Sequence, residues 1–133
     1  MITIINLNFF DKKVIEDIEN DYATVRINPG QIKIILSICK ELEPYIKIPR
    51  LALRCIIYYT LKEWQLKNKR SISDIASFSL DKRVFIAKEL FEMGKNKLKK
   101  ILLKPTLENE LLLDTLFESA FKKYIQNPRK ILV

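Results

Sequence analysis

The chain has 133 residues, of which 48% are hydrophobic and only two are glycine, so it is long enough to bury one core and is typical of an ordered helical fold. The formal net charge is +8 and histidine is absent, which suits an anionic partner and excludes the common serine and cysteine triads. With only Gly30 and Gly94, neither a GxxxxGK[ST] nor a GxGxxG phosphate loop can exist. We predict one compact, mainly α-helical domain over residues 1–133 that is not itself an enzyme.

The first 28 residues mix strand and helix patterns. Residues 2–7 (ITIINL) have the β-branched content of a short strand, and Asp11 is a candidate N-cap for an amphipathic helix. Residues 22–27 (YATVRI) alternate loosely between apolar and polar side chains. We therefore expect them to pair with the first strand as a short N-terminal β-hairpin.

The pattern from residue 29 to 126 is helical and forms the predicted core. Pro29 suits a first helical turn, and Pro44 ends that helix. Pro49 opens the next helix, whose run from 51 to 61 is apolar on nearly every side. We expect the rest of the fold to wrap around this central helix.

Capping residues divide the region that follows. Ser71 and Asp74 are spaced like the capping box of a short helix. Asp81 is a candidate cap for a longer one, which we expect to stop at Gly94 because glycine is common just after a helix end.

The remaining chain is predicted to form two more helices and a tail. A lysine-rich helix (KNKLKKILLK) runs to Pro105, and the last helix runs from Thr106 to about Gln126. Asn127 and Pro128 are expected to release a short tail.

The cysteines and carboxylates give no sign of a metal centre. Cys39 and Cys55 lie singly in apolar helical patterns, which favours small buried hydrophobes over ligands, so we expect no metal and no iron–sulfur cofactor. The acids of the first helix have the spacing of a solvated face; they are Glu16, Asp17, Glu19 and Asp21. No signal peptide and no membrane-spanning run is apparent, so we expect a cytoplasmic protein without membrane contact.

The most informative segment is IKIPRLALRCIIYYTLKEW, residues 46–64. Residues 47–70 hold seven cations against Glu63 alone. A helix N-terminus is itself partly positive, so cations placed there are electrostatically unfavourable unless an anion, such as a phosphate, docks beside them. The predicted binding stripe, with members four residues apart after Lys47, is Lys47, Arg50, Arg54, Tyr58 and Lys62. The alternative is a wet polar edge on a mostly buried helix.

Two further features support nucleic-acid binding with less specificity. Tyr45 and Tyr58 are the aromatic residues that we expect to be exposed for base stacking. A secondary basic patch follows the second glycine, and its lysines are Lys95, Lys97, Lys99, Lys100 and, further on, Lys104. Such a run can track a phosphate backbone, although it is also typical of a solvated face.

The order of these parts is similar to a known family. A proline-led helix (NPGQIKIILSICKEL), a basic link (KIPR), an apolar helix (LALRCIIYYTL) and a serine-led short helix with an aromatic residue (SISDIASF) follow one another between Asn28 and Met93. This order resembles the helical C-terminal domain of the primase large subunit. There a PPC-type helix start, an H-x-x-R-like basic link and an apolar helix occur in the same order.

The sequence departs from the pattern of that family at its cysteines, and this points to one type of relative within it. The family holds a four-iron cluster on four cysteines, whereas Gly30 stands where one of them would be, and Cys39 and Cys55 do not replace the set. The chain therefore resembles the cluster-free, PriX-type accessory primase subunit of some archaea.

The resemblance implies a role for individual residues. Lys47 and Arg50 would contact the template and the 5′-triphosphate of the initiating nucleotide, with Arg54 one turn further along. The implied partners are the primase catalytic and large subunits, a single-stranded DNA template or primer–template, and a nucleoside triphosphate.

Two other classes of function remain open at this point. Residues 71–94 can be divided into two helices joined by a turn, a helix-turn-helix whose second helix would expose Lys82, Arg83 and Lys88 to duplex DNA. Against this, the turn lacks a glycine and the second helix is more apolar than groove reading needs. The third possibility is a helical interaction or assembly protein without affinity for nucleic acid, whose charge serves solubility.

Overall fold

The computed structural model describes residues 5–72 and 77–132, and these residues form a mainly α-helical fold, as predicted. The helices are α1 (Lys12–Tyr22), α2 (Pro29–Leu42), α3 (Arg50–Asn68), α4 (Leu80–Lys100) and α5 (Leu107–Ile125). Two short strands, β1 (Ile5–Asn6) and β2 (Ile46–Lys47), pair in parallel, and 3-10 turns cover Leu7–Phe9 and Pro128–Lys130.

Helix α3 lies at the centre of the fold, as predicted, because it packs against α1, α2 and α4. Pro49 takes its N-cap position, and Lys69 ends it in the left-handed conformation with φ of 50°. The hydroxyl of the buried Thr60 is satisfied because it donates to the carbonyl oxygen of Ile56 at 2.8 Å. A helix contacted on three sides leaves little of its length for ligand binding, and its exposed parts therefore matter most.

Local capping explains where α2 and α5 begin. The Asn28 side chain accepts the N–H of Gly30 at 2.9 Å ahead of Pro29, and Thr106 accepts the N–H of Asn109 at 3.2 Å. Helix α2 ends just before Pro44, as predicted.

The predicted N-terminal hairpin is wrong, because β1 pairs with β2 rather than with residues 22–27. Ile5 lies opposite Ile46 in parallel register, and both side chains are buried. Tyr22 still belongs to α1, so no strand forms there. Burial of the two isoleucines against the helices decides the pairing. Residues 2–4 of the predicted strand lie outside the described residues.

The predicted helix end at Gly94 is also wrong, since α4 continues unbroken to Lys100. Gly94 does not adopt a positive φ, the conformation that stops a helix. A Cβ atom at this position would lie 3.2 Å from Cδ1 of Ile57 and 3.8 Å from Cε1 of Phe117. The glycine therefore allows α4 to approach α3 and α5 closely.

Helix α4 is capped by Ser79 rather than by Asp81. The Ser79 hydroxyl accepts a backbone N–H of the first turn at 3.3 Å. Asp81 lies within that turn, where its negative charge interacts favourably with the positive end of the helix dipole. The predicted short helix at Ser71 falls largely on residues 73–76, outside the described residues.

The C-terminal tail folds back onto the core, so the prediction of a released tail is wrong. The N–H of Leu132 donates to the Tyr124 hydroxyl at 2.6 Å, and the Ser37 hydroxyl donates to the carbonyl oxygen of Lys130 at 3.0 Å. Ile131 and Leu132 are both buried. Burial of these two apolar side chains drives the return.

Candidate anion-binding site at the head of α3

The cations predicted to bind an anion lie where β2 leads into α3. Lys47 ends β2 with an exposed side chain, and Arg50 is the first residue of α3 with 76% of its side chain exposed. Arg54 follows one turn later and is half-buried. We call these three residues the α3 head.

The backbone at this point adds to the positive potential. Pro49 provides no side-chain hydrogen bond to the first turn of α3, and that turn contains no acidic residue. The first N–H groups of a helix have no partner within the helix, and the aligned peptide dipoles make this end positive. An anion placed here would meet backbone donors and cationic side chains together.

Arg54 contributes a donor without an acceptor. Its Nε atom is buried and has no hydrogen-bond partner within the described part of the chain. A buried unpaired donor is costly, and a donor that belongs to a charged group is more costly still. Burial raises the pKa of Tyr22, and the positive charge of Arg54 opposes that rise. The guanidinium therefore lies near the end of α1, and its Nε lacks an acceptor oxygen within the described part of the chain.

A carboxylate also lies at the α3 head. Oε1 of Glu43 is 3.8 Å from Nε of Arg50, and both side chains are at least one third exposed. Exposed ion pairs at such a distance contribute little to stability. Glu43 is not recognisable from the sequence as part of this site, because the turn through residues 44–49 brings it to Arg50 only in the folded chain. It competes with any bound anion for the arginine.

The remaining members of the predicted stripe lie further along α3. Nζ of Lys62 is 6.0 Å from the ring centroid of Tyr58, and the ring of Tyr58 packs edge-on against Tyr59 at 5.1 Å. Tyr45 and Tyr58 are both half-buried against the core rather than fully exposed as expected. Only one side of Tyr58 therefore remains open to a ligand.

A small cavity adjoins this part of α3. Its volume is about 190 Å³, and it is lined by Gln31, Tyr58, Leu61, Lys62 and Gln65. Gln31 Nε2 donates to Gln65 Oε1 at 3.0 Å across the two helices. The sequence carried no signal for this pair, because the two glutamines are brought together only by the packing of α2 on α3.

The secondary basic patch has a different environment from the α3 head. Asp114 on α5 accepts from Lys95 Nζ at 3.1 Å and from Lys99 Nζ at 2.8 Å, and Lys95 also contacts Glu92 at 2.6 Å. Burial alone would raise the pKa of Asp114, but hydrogen bonds from Lys99 and Lys95 outweigh it and leave the pKa lowered. These lysines join α4 to α5.

The other lysines of the patch divide between a pair and open surface. Nζ of Lys97 is 2.6 Å from Oε1 of Glu63 on α3, whereas Lys100 and Lys104 are exposed. The five lysines therefore do not form one free cationic surface.

The surface of α4 that was predicted to contact duplex DNA is only partly exposed. Lys82 and Lys88 are exposed, but Arg83 is half-buried, and much of α4 packs between α3 and α5. Phe78 lies beneath two cations, with Arg70 Cζ 4.2 Å and Lys82 Nζ 4.7 Å from its ring centroid. Some of the charge at this end of the molecule is therefore used in cation–π contacts.

Both cysteines are free and buried, which confirms their prediction as small buried hydrophobes. Burial raises the pKa of Cys39 to about 12 and that of Cys55 to about 11. The thiols are therefore protonated near neutral pH and are poor nucleophiles.

Comparison with protein-family models, curated proteins and solved structures returns no match for this chain. No helix in the described ranges is both long and apolar enough to cross a bilayer. The resemblance to a primase subunit therefore stays a prediction, and a proposal of function depends on the chemistry of the α3 head.

Proposed function

We propose that the protein is a non-catalytic, nucleic-acid- and nucleotide-binding subunit of a DNA primase. In this proposal it holds the 5′-triphosphate of the initiating nucleotide, or the 5′ end of the primer, at the α3 head. The observation that carries the proposal is the coincidence of an uncapped helix N-terminus, the exposed Lys47 and Arg50, and the unpartnered Nε of Arg54. A phosphate supplies acceptor oxygens to the backbone N–H groups, Lys47 and Arg50, and its negative charge balances that of the nearby Arg54.

The proposal assigns the chemistry to other chains. The primase catalytic and large subunits would transfer nucleotides on a single-stranded template, and this chain would bind one reactant through arginine, lysine and backbone donors. Support comes from the composition, because a chain without histidine lacks the most common general base.

The test is fluorescence anisotropy on a short labelled primer–template junction, with primers that carry either a 5′-triphosphate or a 5′-hydroxyl. We expect about tenfold tighter binding of the triphosphate form, which corresponds to about 1.4 kcal/mol. The preference is expected to disappear in Arg50→Ala and to weaken in Lys47→Ala. Arg129→Ala is the matched control, because it removes an exposed guanidinium elsewhere on the chain.

The other outcomes would each overturn the proposal. Tighter binding to plain duplex, lost on substitution of Lys82 or Lys88, would favour helix-turn-helix DNA binding. Absence of binding to every nucleic acid at moderate salt would favour a helical assembly protein. Equal binding of the two primers would show that the α3 head does not recognise the triphosphate.

A further inference from the structure

We infer that a nucleobase-binding subsite, formed by Tyr58, Gln31 and Gln65, lies one turn beyond Arg54 along α3. The inference rests on the proposed function, because it identifies the part of the ligand that extends beyond the phosphates. It states that the α3 head receives a nucleotide whose base is also bound, rather than a bare phosphate group.

The cavity beside Tyr58 has the size for a single ring system. Its volume of about 190 Å³ is several times the roughly 30 Å³ that one water molecule occupies in the liquid. It is also smaller than the roughly 300 Å³ at which pockets for drug-sized ligands begin. One planar heterocycle suits this space, with the attached sugar remaining outside.

Tyr58 provides an aromatic surface at the cavity. Its edge-on contact with Tyr59 fixes the ring on one side. Towards the cavity the ring is approached by the exposed Lys62, whose ammonium group is 6.0 Å from the ring centroid. This separation is at the limit of a cation–π contact, and a flexible lysine moves at little cost. A base can therefore stack on Tyr58, as bases do on aromatic residues in nucleic-acid-binding proteins.

The two glutamines add hydrogen-bonding groups of both kinds. Oε1 of Gln65 accepts from Gln31 Nε2 and from the backbone N–H of Ile72, each at 3.0 Å. Within the described ranges, these bonds leave Gln31 Oε1 as an acceptor and Gln65 Nε2 as a donor for a ligand. A donor and an acceptor at one cavity can pair with the edge of a nucleobase, as the donor and acceptor of a single glutamine amide do with adenine.

The spacing between the two sites suits one nucleotide. Arg50 and Tyr58 are eight residues apart on one helix, which separates them by about 12 Å along its axis. An extended nucleoside triphosphate bridges this distance, with its ribose over the turn that carries Arg54. Phosphates and base would thus be bound by the same helix.

Gln65 is a poor position for a test substitution, because its side chain also supports the fold. Gln65 also holds the chain after α3, since its side-chain Oε1 accepts from the backbone N–H of Ile72 at 3.0 Å. Its substitution would disturb the fold. Tyr58 and Gln31 are half-buried, so they are the better positions.

The experiment is isothermal titration of the protein with ribonucleoside triphosphates and with inorganic tripolyphosphate. We expect at least one nucleotide, with ATP tested first, to bind about tenfold tighter than tripolyphosphate. Tyr58→Ala and Gln31→Ala should reduce the nucleotide affinity to that of tripolyphosphate and leave the tripolyphosphate affinity unchanged. Tyr58→Phe should retain the nucleotide affinity, because it keeps the ring.

The two proposals fail in distinguishable ways. Equal affinity for tripolyphosphate and for all four nucleotides would overturn the base subsite and leave the α3 head intact. No affinity for either ligand would overturn the proposed function itself. If Tyr58→Ala disturbs the fold, tripolyphosphate binding is lost as well, and Gln31→Ala then decides: unchanged nucleotide affinity in that variant overturns the subsite.

Discussion

The α3 head and the lysine run of α4 show how differently two cationic segments behave in one molecule. At the α3 head, 76% of the Arg50 side chain is exposed, and its carboxylate neighbour is 3.8 Å away. In α4, only 13% of the Lys95 side chain is exposed, and it contacts two carboxylates at 2.6 and 3.1 Å. The difference lies in whether a packed helix presents an acid within reach of the cation.

This difference separates charge that binds the fold together from charge that is available to a ligand. Asp114 on α5 accepts from two lysines of α4, so removal of one carboxylate affects both. No described helix presents a comparable acid to Arg54, whose Nε remains unpaired. The net charge of +8 is therefore a poor guide to where an anion binds.

The largest expected effect tests the structural role of the α4 lysines. Asp114→Ala should lower the free energy of unfolding by about 2 kcal/mol, because Lys95 and Lys99 lose a shared acceptor in a partly buried position. Urea denaturation measures the change. Lys100→Ala is the control, since that side chain is exposed, and it should stay within about 0.5 kcal/mol of the parent. If the urea midpoint of Asp114→Ala equals that of the parent, the α4 lysines do not stabilise the fold, and the contrast with the α3 head is wrong.

The second prediction compares the regions through binding. Arg50→Ala should weaken triphosphate binding about tenfold, or about 1.4 kcal/mol, without moving the urea midpoint. Lys95→Ala should do the reverse, because it lowers stability while leaving affinity within about twofold of the parent. Anisotropy and denaturation on the same preparations give both numbers. A loss of affinity in Lys95→Ala equal to that in Arg50→Ala would contradict the assignment of the site.

The stripe at the α3 head was predictable because its spacing is local. Arg50, Arg54 and Tyr58 follow one another at four-residue intervals on a helix that Pro49 introduces, and helical geometry alone places them on one side. Helices α2, α3 and α5 were likewise found from capping residues and apolar periodicity. Their boundaries depend on neighbours within one or two turns.

What the sequence could not give depends on contacts between distant residues. Gly94 resembles a helix end until its close approach to Ile57 is known, and Asp114 resembles a solvated acid until α5 packs on α4. The partner of β1 comes from beyond two helices. Glu43 and the glutamine pair belong to the same class, since each reaches the site only through tertiary packing.

The third prediction concerns pH and follows from Asp114. Its pKa is lowered from the ordinary 3.8, so the stability that it contributes is present above that value and is lost as pH falls through the folded pKa. Acid denaturation should therefore show a loss below about pH 4 that is smaller in Asp114→Asn. The difference between the two proteins should be under about 1 kcal/mol, less than the effect of Asp114→Ala, because Asp114 is 36% exposed and a protonated carboxyl group still offers oxygens to the two lysines.

The opposite sign is expected at high pH. Burial alone would lower the pKa of Lys95, but hydrogen bonds to Glu92 and Asp114 outweigh it and raise the pKa above the ordinary 10.5. The stability due to Lys95 is thus present below that value and is lost as pH rises through the folded pKa. A parent urea midpoint that does not fall as pH rises through the folded pKa of Lys95, compared with Lys95→Ala, would contradict the pairing.

The smallest expected effect concerns Glu43, the acid that lies beside Arg50. Glu43→Gln removes a carboxylate that competes with a bound phosphate for Arg50, so triphosphate affinity should rise about two- to threefold, or about 0.5 kcal/mol. Stability should change little, because the ion pair is long and exposed. Glu41→Gln, two residues earlier in the last turn of α2, is the matched control. Anisotropy at two salt concentrations measures the gain, which should shrink as salt screens the carboxylate.

An equal gain in both variants would mean that net charge, and not the contact with Arg50, governs binding. A gain in Glu43→Gln alone would show that the carboxylate beside Arg50 competes with the phosphate for this arginine.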